Sequence, residues 1–236
     1  MNSVTIRRMS SLTTYALADG IATITMDDGK VNALSSVMLA ELSQQLDRAR
    51  ADEAVVVLTG RARTFSAGFD LRTEPDGWQP MVLAGARLAE QLLAFERPVV
   101  AACNGNAIAM GGFVLLSCDV RIAARGDFQI GLNEVAIGLT VPWFGVSVAR
   151  HRLARPYFDR CLITGELLGP EEARTAGFVD QLVEPDDVAG AARAAATRLT
   201  TINLPAHAAT KLRVREAALA GVRDGIDRLA GTDREW

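Results

Sequence analysis

One segment of the chain reads Thr64-Phe65-Ser66-Ala67-Gly68-Phe69-Asp70-Leu71, and a later one reads Asn104-Gly105-Asn106-Ala107-Ile108-Ala109-Met110-Gly111-Gly112. Each is a glycine-bearing turn after an apolar run that is short enough to be a buried strand. Both turns therefore offer free backbone N–H groups at a junction between a strand and a helix. Two such turns side by side can hold an oxyanion, because preorganised amides need not reorient as water must. The pattern alone leaves this open, since glycine-rich turns more often only reverse the chain.

Strand-like and helix-like segments alternate around these turns. Asp19-Gly20 is a hairpin signal between two short strand-like runs. Val55 to Leu58 and Val99 to Ala102 are apolar throughout, as strands covered on both faces should be. Helices are predicted after Ser35, which can act as an N-cap, and over Val82 to Phe95. This succession predicts an α/β fold with right-handed crossovers.

The last third of the chain changes character. An Ala- and Arg-rich helix is predicted from Val188 to Leu199, and the segment beyond it is helical in pattern to its end. We therefore divide the chain into an α/β core, residues 1–185, and a helical C-terminal oligomerisation lobe, residues 186–236. The Ala-rich helix has too little bulky apolar surface to make a core by itself, so we expect neighbouring subunits to cover it.

Composition excludes several classes of protein. The chain has 236 residues, of which 49% are hydrophobic and 22% charged, which is typical of a globular protein. Its net charge of −3 argues against binding of nucleic acid. No apolar run approaches the ~20 residues that span a bilayer, and the first residues lack the apolar centre of a secretory signal. The three cysteines show no paired spacing, which fits a reducing compartment. We expect a cytoplasmic protein with no membrane partner.

Carboxylates are the acid–base candidates that remain. The familiar nucleophile, phosphate-loop and zinc motifs are absent, and the only histidines, His151 and His207, have no sequence neighbours that suggest a metal site. No metal is expected. Glu134 lies in the glycine-punctuated apolar loop Gly131 to Gly138, where partial burial would raise its pKa toward that of a useful base. A glutamate that simply points to water is the alternative reading of this loop.

These motifs resemble, in their order and spacing, the crotonase (enoyl-CoA hydratase/isomerase) superfamily. The likeness is carried by Ser66 to Leu71, Asn104 to Asp119 and Gly131 to Gly138, and it extends over nearly the whole chain. It implies a crotonase-like superhelix of repeated ββα units with a helical C-terminal lobe used for trimer packing. It also implies an acyl-CoA thioester as substrate, with no separate cofactor because coenzyme A is part of that substrate, and a homotrimer or hexamer.

The resemblance assigns roles to individual residues. It places the catalytic base on Glu134 and the two oxyanion-hole amides on Phe69 and on Met110, where many members have glycine. It implies that Asp70 caps the following helix and that Asp119 is structural. Contacts with the substrate or with coenzyme A are expected at Lys30, Ala33, Ser66, Ala67, Gly68, Asp70, Leu71, Gly111 and Phe113.

One departure from the superfamily pattern narrows the chemistry. Hydratases of this kind usually carry two glutamates, and the first of those positions is Phe113 here, which cannot transfer a proton. Loss of one carboxylate should slow the addition of water by a factor on the order of 10²–10⁴, whereas moving a double bond needs only one base. The chain therefore most resembles the single-glutamate Δ3,Δ2-enoyl-CoA isomerases. A hydratase that uses Glu134 alone and a non-catalytic acyl-CoA-binding protein are the alternatives.

Overall fold

A computed structural model describes residues 11–231, so the predictions for residues 1–10 and 232–236 lie outside the described part of the chain. The strands are β1 (Thr13–Ala18), β2 (Ile21–Met26), β3 (Ala33–Leu34), β4 (Val55–Thr59), β5 (Arg63–Ser66), β6 (Gly68–Phe69), β7 (Val99–Cys103), β8 (Gly105–Ile108), β9 (Val120–Ala124), β10 (Ile130–Gly131), β11 (Leu167–Leu168) and β12 (Gln181–Val183). The α-helices are α1 (Ser36–Ala51), α2 (Pro75–Ala94), α3 (Met110–Ser117), α4 (Trp143–Arg152), α5 (Arg155–Thr164), α6 (Pro170–Ala176), α7 (Val188–Thr200), α8 (Leu204–Val214) and α9 (Glu216–Gly231).

In the described part of the chain, the strands form a large sheet of six strands, a small sheet of four strands and the two-stranded pair β3–β6. The large sheet has the order β1-β2-β4-β7-β9-β12 and is parallel except for the β1–β2 hairpin, which Asp19 and Gly20 close with positive φ angles as predicted. The small sheet has the order β11-β10-β8-β5. The chain visits the large sheet, then the small sheet, then a helix, as in β4-β5-α2 and β7-β8-α3. These are the repeated ββα units expected for the fold, and that prediction is confirmed.

The helices pack where their apolar faces predict, with differences at their ends. Helix α1 buries Met38, Leu42 and Leu46, and the Ser35 hydroxyl accepts a hydrogen bond from the Met38 N–H at 3.2 Å. Helix α2 begins at Pro75 rather than at Val82, because proline suits the first turn, where its missing N–H costs no hydrogen bond. The earlier start adds about two turns to α2, and the added segment includes Trp78, which lines the candidate site described below.

Helix α7 belongs to the core of the chain itself. Its residues Val188, Ala192, Ala195 and Ala196 are buried against the outer face of the large sheet. Small alanine side chains let the helix lie close to the β-branched residues of β4 and β7, so little bulk is needed. The chain itself thus covers this face of the helix without a neighbouring subunit, and the expectation that subunits cover the helix stays a prediction for its remaining surface. The division at residue 185 and the oligomerisation role of the segment beyond it stay predictions.

Within residues 11–231, no helix is both long enough and apolar enough to cross a bilayer.

Candidate active site

The two glycine turns of the sequence lie against each other. Gly68 has a φ of +91°, and a Cβ atom on it would lie 2.8 Å from the Ala109 Cβ and 2.9 Å from the Ile108 carbonyl oxygen. The same point lies 3.3 Å from the Met110 amide nitrogen. Only glycine fits both this backbone conformation and this contact. The sequence prediction that the turns lie side by side holds, and the backbone after Gly68 is thereby brought beside the start of α3.

A buried polar scaffold holds the first turn in shape. The Ser66 hydroxyl donates to the Asn32 carbonyl oxygen at 2.7 Å and accepts from the Gly68 N–H at 3.1 Å. The Asn32 side-chain amide donates to the carbonyl oxygens of Met26 and Phe65 at 3.0 and 3.1 Å. Ser66 and Asn32 are fully buried, so Ser66 supports the turn and does not face the candidate pocket.

The second turn delivers the first residue of a helix to the same place. Ala109 has a φ of +52°, and α3 begins at Met110 directly after it. The N–H of a first helical residue has no carbonyl partner within its own helix, so it is available to a ligand. Gly111 packs over the other turn, since a Cβ on it would lie 2.6 Å from the Ser66 carbonyl oxygen. The oxyanion roles of the Phe69 and Met110 amides stay predictions.

Glu134 is buried, as one of the two readings of its loop required. Its residue surface is 6% exposed, and burial raises the pKa of its carboxyl from 4.5 to about 7. Its Oε2 has no hydrogen-bond partner in the described chain. The loop is held by the Leu139 N–H, which donates to the Glu134 carbonyl oxygen at 2.9 Å. A carboxyl group of this kind has the proton affinity of a base that works near neutral pH.

Glu134 and the first glycine turn share a narrow pocket of about 30 Å³. Among the described lining residues, the side-chain polar groups are the Glu134 carboxyl, the Thr140 hydroxyl and the Trp78 indole N–H. The rings of Phe69 and Trp78 meet in the pocket edge to face at 6.1 Å. Sequence analysis gave no role to five of its lining residues: Trp78, Val82, Leu139, Thr140 and Pro142. Two features of the sequence could have identified them as pocket residues. Trp78 and Val82 are one helical turn apart on α2, and the other three directly follow the loop that carries Glu134.

Phe113 is not among the residues that line this pocket, and its expected contact with the substrate stays a prediction. Its ring is fully buried and packs edge to face on Phe144, with ring centres 5.6 Å apart. A Cβ on Gly145 would lie 2.5 Å from the Phe113 Cζ, so the ring also presses on the backbone of α4. The physical reason is that every residue of α3 is buried, and position 113 faces α4. The aromatic residue thus fills the contact between two helices.

Asp70 does not cap the following helix, and that prediction is also wrong. Its carboxylate accepts from the Arg72 N–H at 3.1 Å and forms a two-point ion pair with the Arg72 guanidinium at 2.8 Å. Helix α2 has Glu74 at its N-cap position, with no side-chain capping hydrogen bond. Asp70 therefore closes a local turn two residues long, and the hydrogen bonds from Arg72 lower the pKa of its carboxyl.

The remaining predicted contact residues lie along the outer edge of the first turn. Ala33 pairs with Gly68 in the short β3–β6 ladder, and the Ala67 N–H donates to the Val31 carbonyl oxygen at 3.0 Å. Lys30 and Leu71 are exposed, with Leu71 63% exposed. The fold thus brings Lys30, Ala33, Ala67 and Leu71 to one edge beside the pocket, although none of them lines it. Their role in coenzyme A binding stays a prediction.

Asp119 is structural, as predicted. It accepts from the Val99 N–H at 2.7 Å and pairs with Lys211 and Arg215 at 2.7 and 2.8 Å. The two histidines line the same surface pocket as Asp119, Lys211 and Arg215, and neither lines the pocket of Glu134. Burial and the neighbouring arginines lower the pKa of His151 to about 4. Within residues 11–231, no group of three His, Cys, Asp or Glu side chains is arranged to hold a metal ion.

Comparison with known proteins bears directly on this site. The family described as Enoyl-CoA hydratase/isomerase matches residues 17–224. The mitochondrial enoyl-CoA delta isomerase 1 of Homo sapiens is 33% identical over 84% of this chain and 68% of its own. A putative enoyl-CoA hydratase of Thermus thermophilus is 34% identical over 89% of this chain and 85% of its own. Among solved structures, a Mycobacterium tuberculosis protein described as an enoyl-CoA isomerase in one structure and as a probable enoyl-CoA hydratase in another is similar to this chain. The first of these superposes with a TM-score of 0.90 at 42% identity, covering 94% of this chain and 99% of that one.

Proposed function

The chain belongs to the enoyl-CoA hydratase/isomerase family, and from that premise we propose that it shifts the double bond of an enoyl-CoA from Δ3 to Δ2. The observation that carries the proposal is the single carboxyl group in the pocket. Among the described residues that line this pocket, Glu134 is the only one with an acidic side chain, and burial raises its pKa to about 7. Phe113, at the position where hydratases of the superfamily usually carry a second glutamate, packs on Phe144.

The proposed reaction needs one base and one oxyanion site. The Glu134 carboxylate removes a proton from C2 of a 3-enoyl thioester, and the electron pair of that C–H bond moves into the thioester as an enolate. The backbone N–H groups of Phe69 and Met110 hold the enolate oxygen. The enolate then takes the proton back from Glu134 at C4 while the double bond settles between C2 and C3. Water, a metal ion and a separate cofactor have no part in these steps.

A hydratase is the second candidate, because relatives of similar identity carry that name. In that reading Glu134 alone orients and deprotonates water for addition to a 2-enoyl-CoA. The largely apolar lining around Glu134 supports the isomerase instead, since the other polar side chains among the described lining residues, Thr140 and Trp78, are not bases that could take a proton from water. A non-catalytic acyl-CoA binder is the third reading, and retention of a buried carboxyl with a raised pKa speaks against it.

Product analysis separates the three readings. The purified chain is incubated in separate samples with 3-hexenoyl-CoA and with 2-hexenoyl-CoA, and the products are identified by mass spectrometry and NMR. The isomerase converts the first substrate into a conjugated product of unchanged mass. A 3-hydroxyacyl-CoA as the main product of the second substrate supports the hydratase. Binding of both thioesters by calorimetry with no product from either supports the binder.

We also propose that the chain assembles as a trimer or as a dimer of trimers. The support is the apolar surface on α8 and just before it, where Val214 is 67% exposed, Leu212 47% and Ile202 38%. Light scattering should give three or six times the 25.2 kDa of one chain, and a monomer at micromolar concentration contradicts the proposal. The cytoplasmic location expected from the sequence stays a prediction.

A further inference from the structure

Helix α3 connects the proposed oxyanion site to a buried cluster of charges. The helix has eight residues, so it is about 12 Å long. Its first residue, Met110, carries the proposed oxyanion amide. All eight residues are buried, so water does not screen the partial charges at the two ends of the helix. The potential at the Met110 N–H therefore depends on what neutralises the negative end.

The negative end of α3 is neutralised by side chains from elsewhere in the chain. Helix α3 has no basic residue in its own last turn. Instead the Arg152 guanidinium, at the end of α4, donates from Nε to the Leu116 carbonyl oxygen at 3.0 Å and from Nη2 to the Cys118 carbonyl oxygen at 2.5 Å. Arg215 donates from Nη2 to the same Cys118 oxygen at 3.4 Å. Two cations thus contact the carbonyl groups at this end.

The cluster carries an excess of positive charge. Arg152, Lys211 and Arg215 surround the single carboxylate of Asp119, while the nearby Arg121 has its own partner in Asp180. Lys211 and Arg215 pair directly with Asp119, which leaves Arg152 with carbonyl oxygens as its hydrogen-bond partners among the described residues. Burial lowers the pKa of Arg152 to about 10, so it is still protonated at neutral pH.

We propose that Arg152 is a positioning residue for the oxyanion site, acting through α3. Its charge cancels the negative end of the helix and leaves the positive end at Met110 to act on the thioester oxygen. The effect grows as negative charge develops on that oxygen, so it stabilises the enolate more than the bound substrate. The inference rests on the proposed function, because it needs the Met110 amide to bind that oxygen.

The test compares charge changes at and near this cluster. Arg152→Gln removes the charge and keeps a donor, Arg152→Lys keeps the charge, and Asp119→Asn makes the cluster more positive. Arg150→Gln is the matched control, because Arg150 precedes Arg152 on α4 by two residues, is exposed and stacks on Phe158. The readouts are kcat, KM, melting temperature and the infrared band of the thioester carbonyl in bound, ¹³C-labelled butanoyl-CoA, which neither an isomerase nor a hydratase can convert.

We expect Arg152→Gln to lower kcat by about 3- to 10-fold, with KM changed less than twofold, and to move the carbonyl band toward that of free thioester. Arg152→Lys should retain most of kcat even if it melts earlier. Asp119→Asn, which loses an ion-pair partner, should melt earlier while the carbonyl band shifts further from the free value. Arg150→Gln should leave band and kcat unchanged.

Three results overturn the inference, and the first two are distinct from failure of the proposed function. If the band is displaced in the wild-type complex but is the same in Arg152→Gln, Arg152 is only a structural cap of α3. A band that moves toward the free value in both Arg152→Gln and Asp119→Asn, following melting temperature, leads to the same conclusion. If the carbonyl band of the wild-type complex is not displaced from that of free thioester, the proposed oxyanion site is wrong, and so is the inference about Arg152.

Discussion

Replacement of Glu134 by glutamine should affect activity and stability in opposite directions. The variant keeps the size of the side chain but cannot accept the C2 proton, so kcat should fall by at least about 10²-fold with little change in acyl-CoA affinity. Stability should rise, because wild-type Glu134 is held in a site that favours the uncharged form. Together the two effects identify a group retained for chemistry at the expense of folding.

The size of the stability effect follows from the pKa. Burial raises the pKa of Glu134 from 4.5 to about 7 in the folded chain. A raised folded-state pKa means that the site's preference for the protonated carboxyl stabilises the fold fully below pH 4.5 and is lost as the pH rises to 7. At 1.36 kcal/mol per pKa unit, the ionised carboxyl costs up to about 3 kcal/mol above pH 7. Glutamine, which is neutral at every pH, avoids that cost.

Urea unfolding at pH 4.5 and pH 8 measures the effect. The difference in unfolding free energy between Glu134→Gln and wild type should be near zero at pH 4.5 and up to about 3 kcal/mol in favour of the variant at pH 8. Glu216→Gln is the control, because Glu216 is exposed on α9, and it should give less than about 0.5 kcal/mol at either pH. Equal stability of Glu134→Gln and wild type at pH 8 refutes the argument that burial of the ionised Glu134 carboxylate destabilises the fold. Retained turnover removes Glu134 from the mechanism.

Two further substitutions test the scaffold of the site. Gly68→Ala should lower the unfolding free energy by about 2–4 kcal/mol and reduce kcat, because its methyl group would meet the Ala109 Cβ at 2.8 Å. Gly29→Ala is the control, because Gly29 has a φ of +77° but open space around it. It should lower the unfolding free energy by only about 1 kcal/mol in the same urea titration. Phe113→Glu should lower the unfolding free energy by about 3–5 kcal/mol in the same titration, because the new carboxyl would be buried against Phe144. The variant should not hydrate 2-hexenoyl-CoA, because position 113 is not among the residues that line the pocket.

The outcomes that would contradict these expectations are distinct. Equal costs for the two glycine variants would mean that the turns are not in contact in solution. A Phe113→Glu variant that folds as well as wild type and hydrates 2-hexenoyl-CoA would mean that position 113 reaches the pocket.

The local features of the site could be predicted from the sequence because each is encoded within a few residues. The two glycine-bearing segments predict turns between strands and helices, and the glycine-punctuated apolar loop predicts a buried Glu134 as one of its two readings. The alternation of apolar runs with amphipathic segments predicts the α/β layers. Each of these patterns lies within a short stretch of the chain, so a single sequence is sufficient to recognise it.

Sequence reasoning did not predict the role of Asp70, the packing of Phe113 or the partners of Asp119. Asp70 was assigned to the following helix, but the nearer Arg72 offers it both a backbone and a side-chain donor. The role of Phe113 depends on which face of α3 meets α4, and a wholly apolar helix shows no preferred face in its sequence. The cluster around Asp119 joins residues far apart in the chain, Lys211 and Arg215 among them, and no spacing rule links such positions. Long-range packing decides the surroundings of Phe113 and Asp119, whereas a local turn decides the role of Asp70.

The central claim is that one buried carboxylate makes this chain an isomerase. The most direct measurement is kcat/KM of the wild-type protein for conjugation of 3-hexenoyl-CoA, followed by the absorbance of the conjugated thioester, beside kcat/KM for hydration of 2-hexenoyl-CoA by the same sample. With a single base, conjugation should exceed hydration by at least about 100-fold. Hydration that equals or exceeds conjugation would contradict the claim and make Glu134 the lone base of a hydratase.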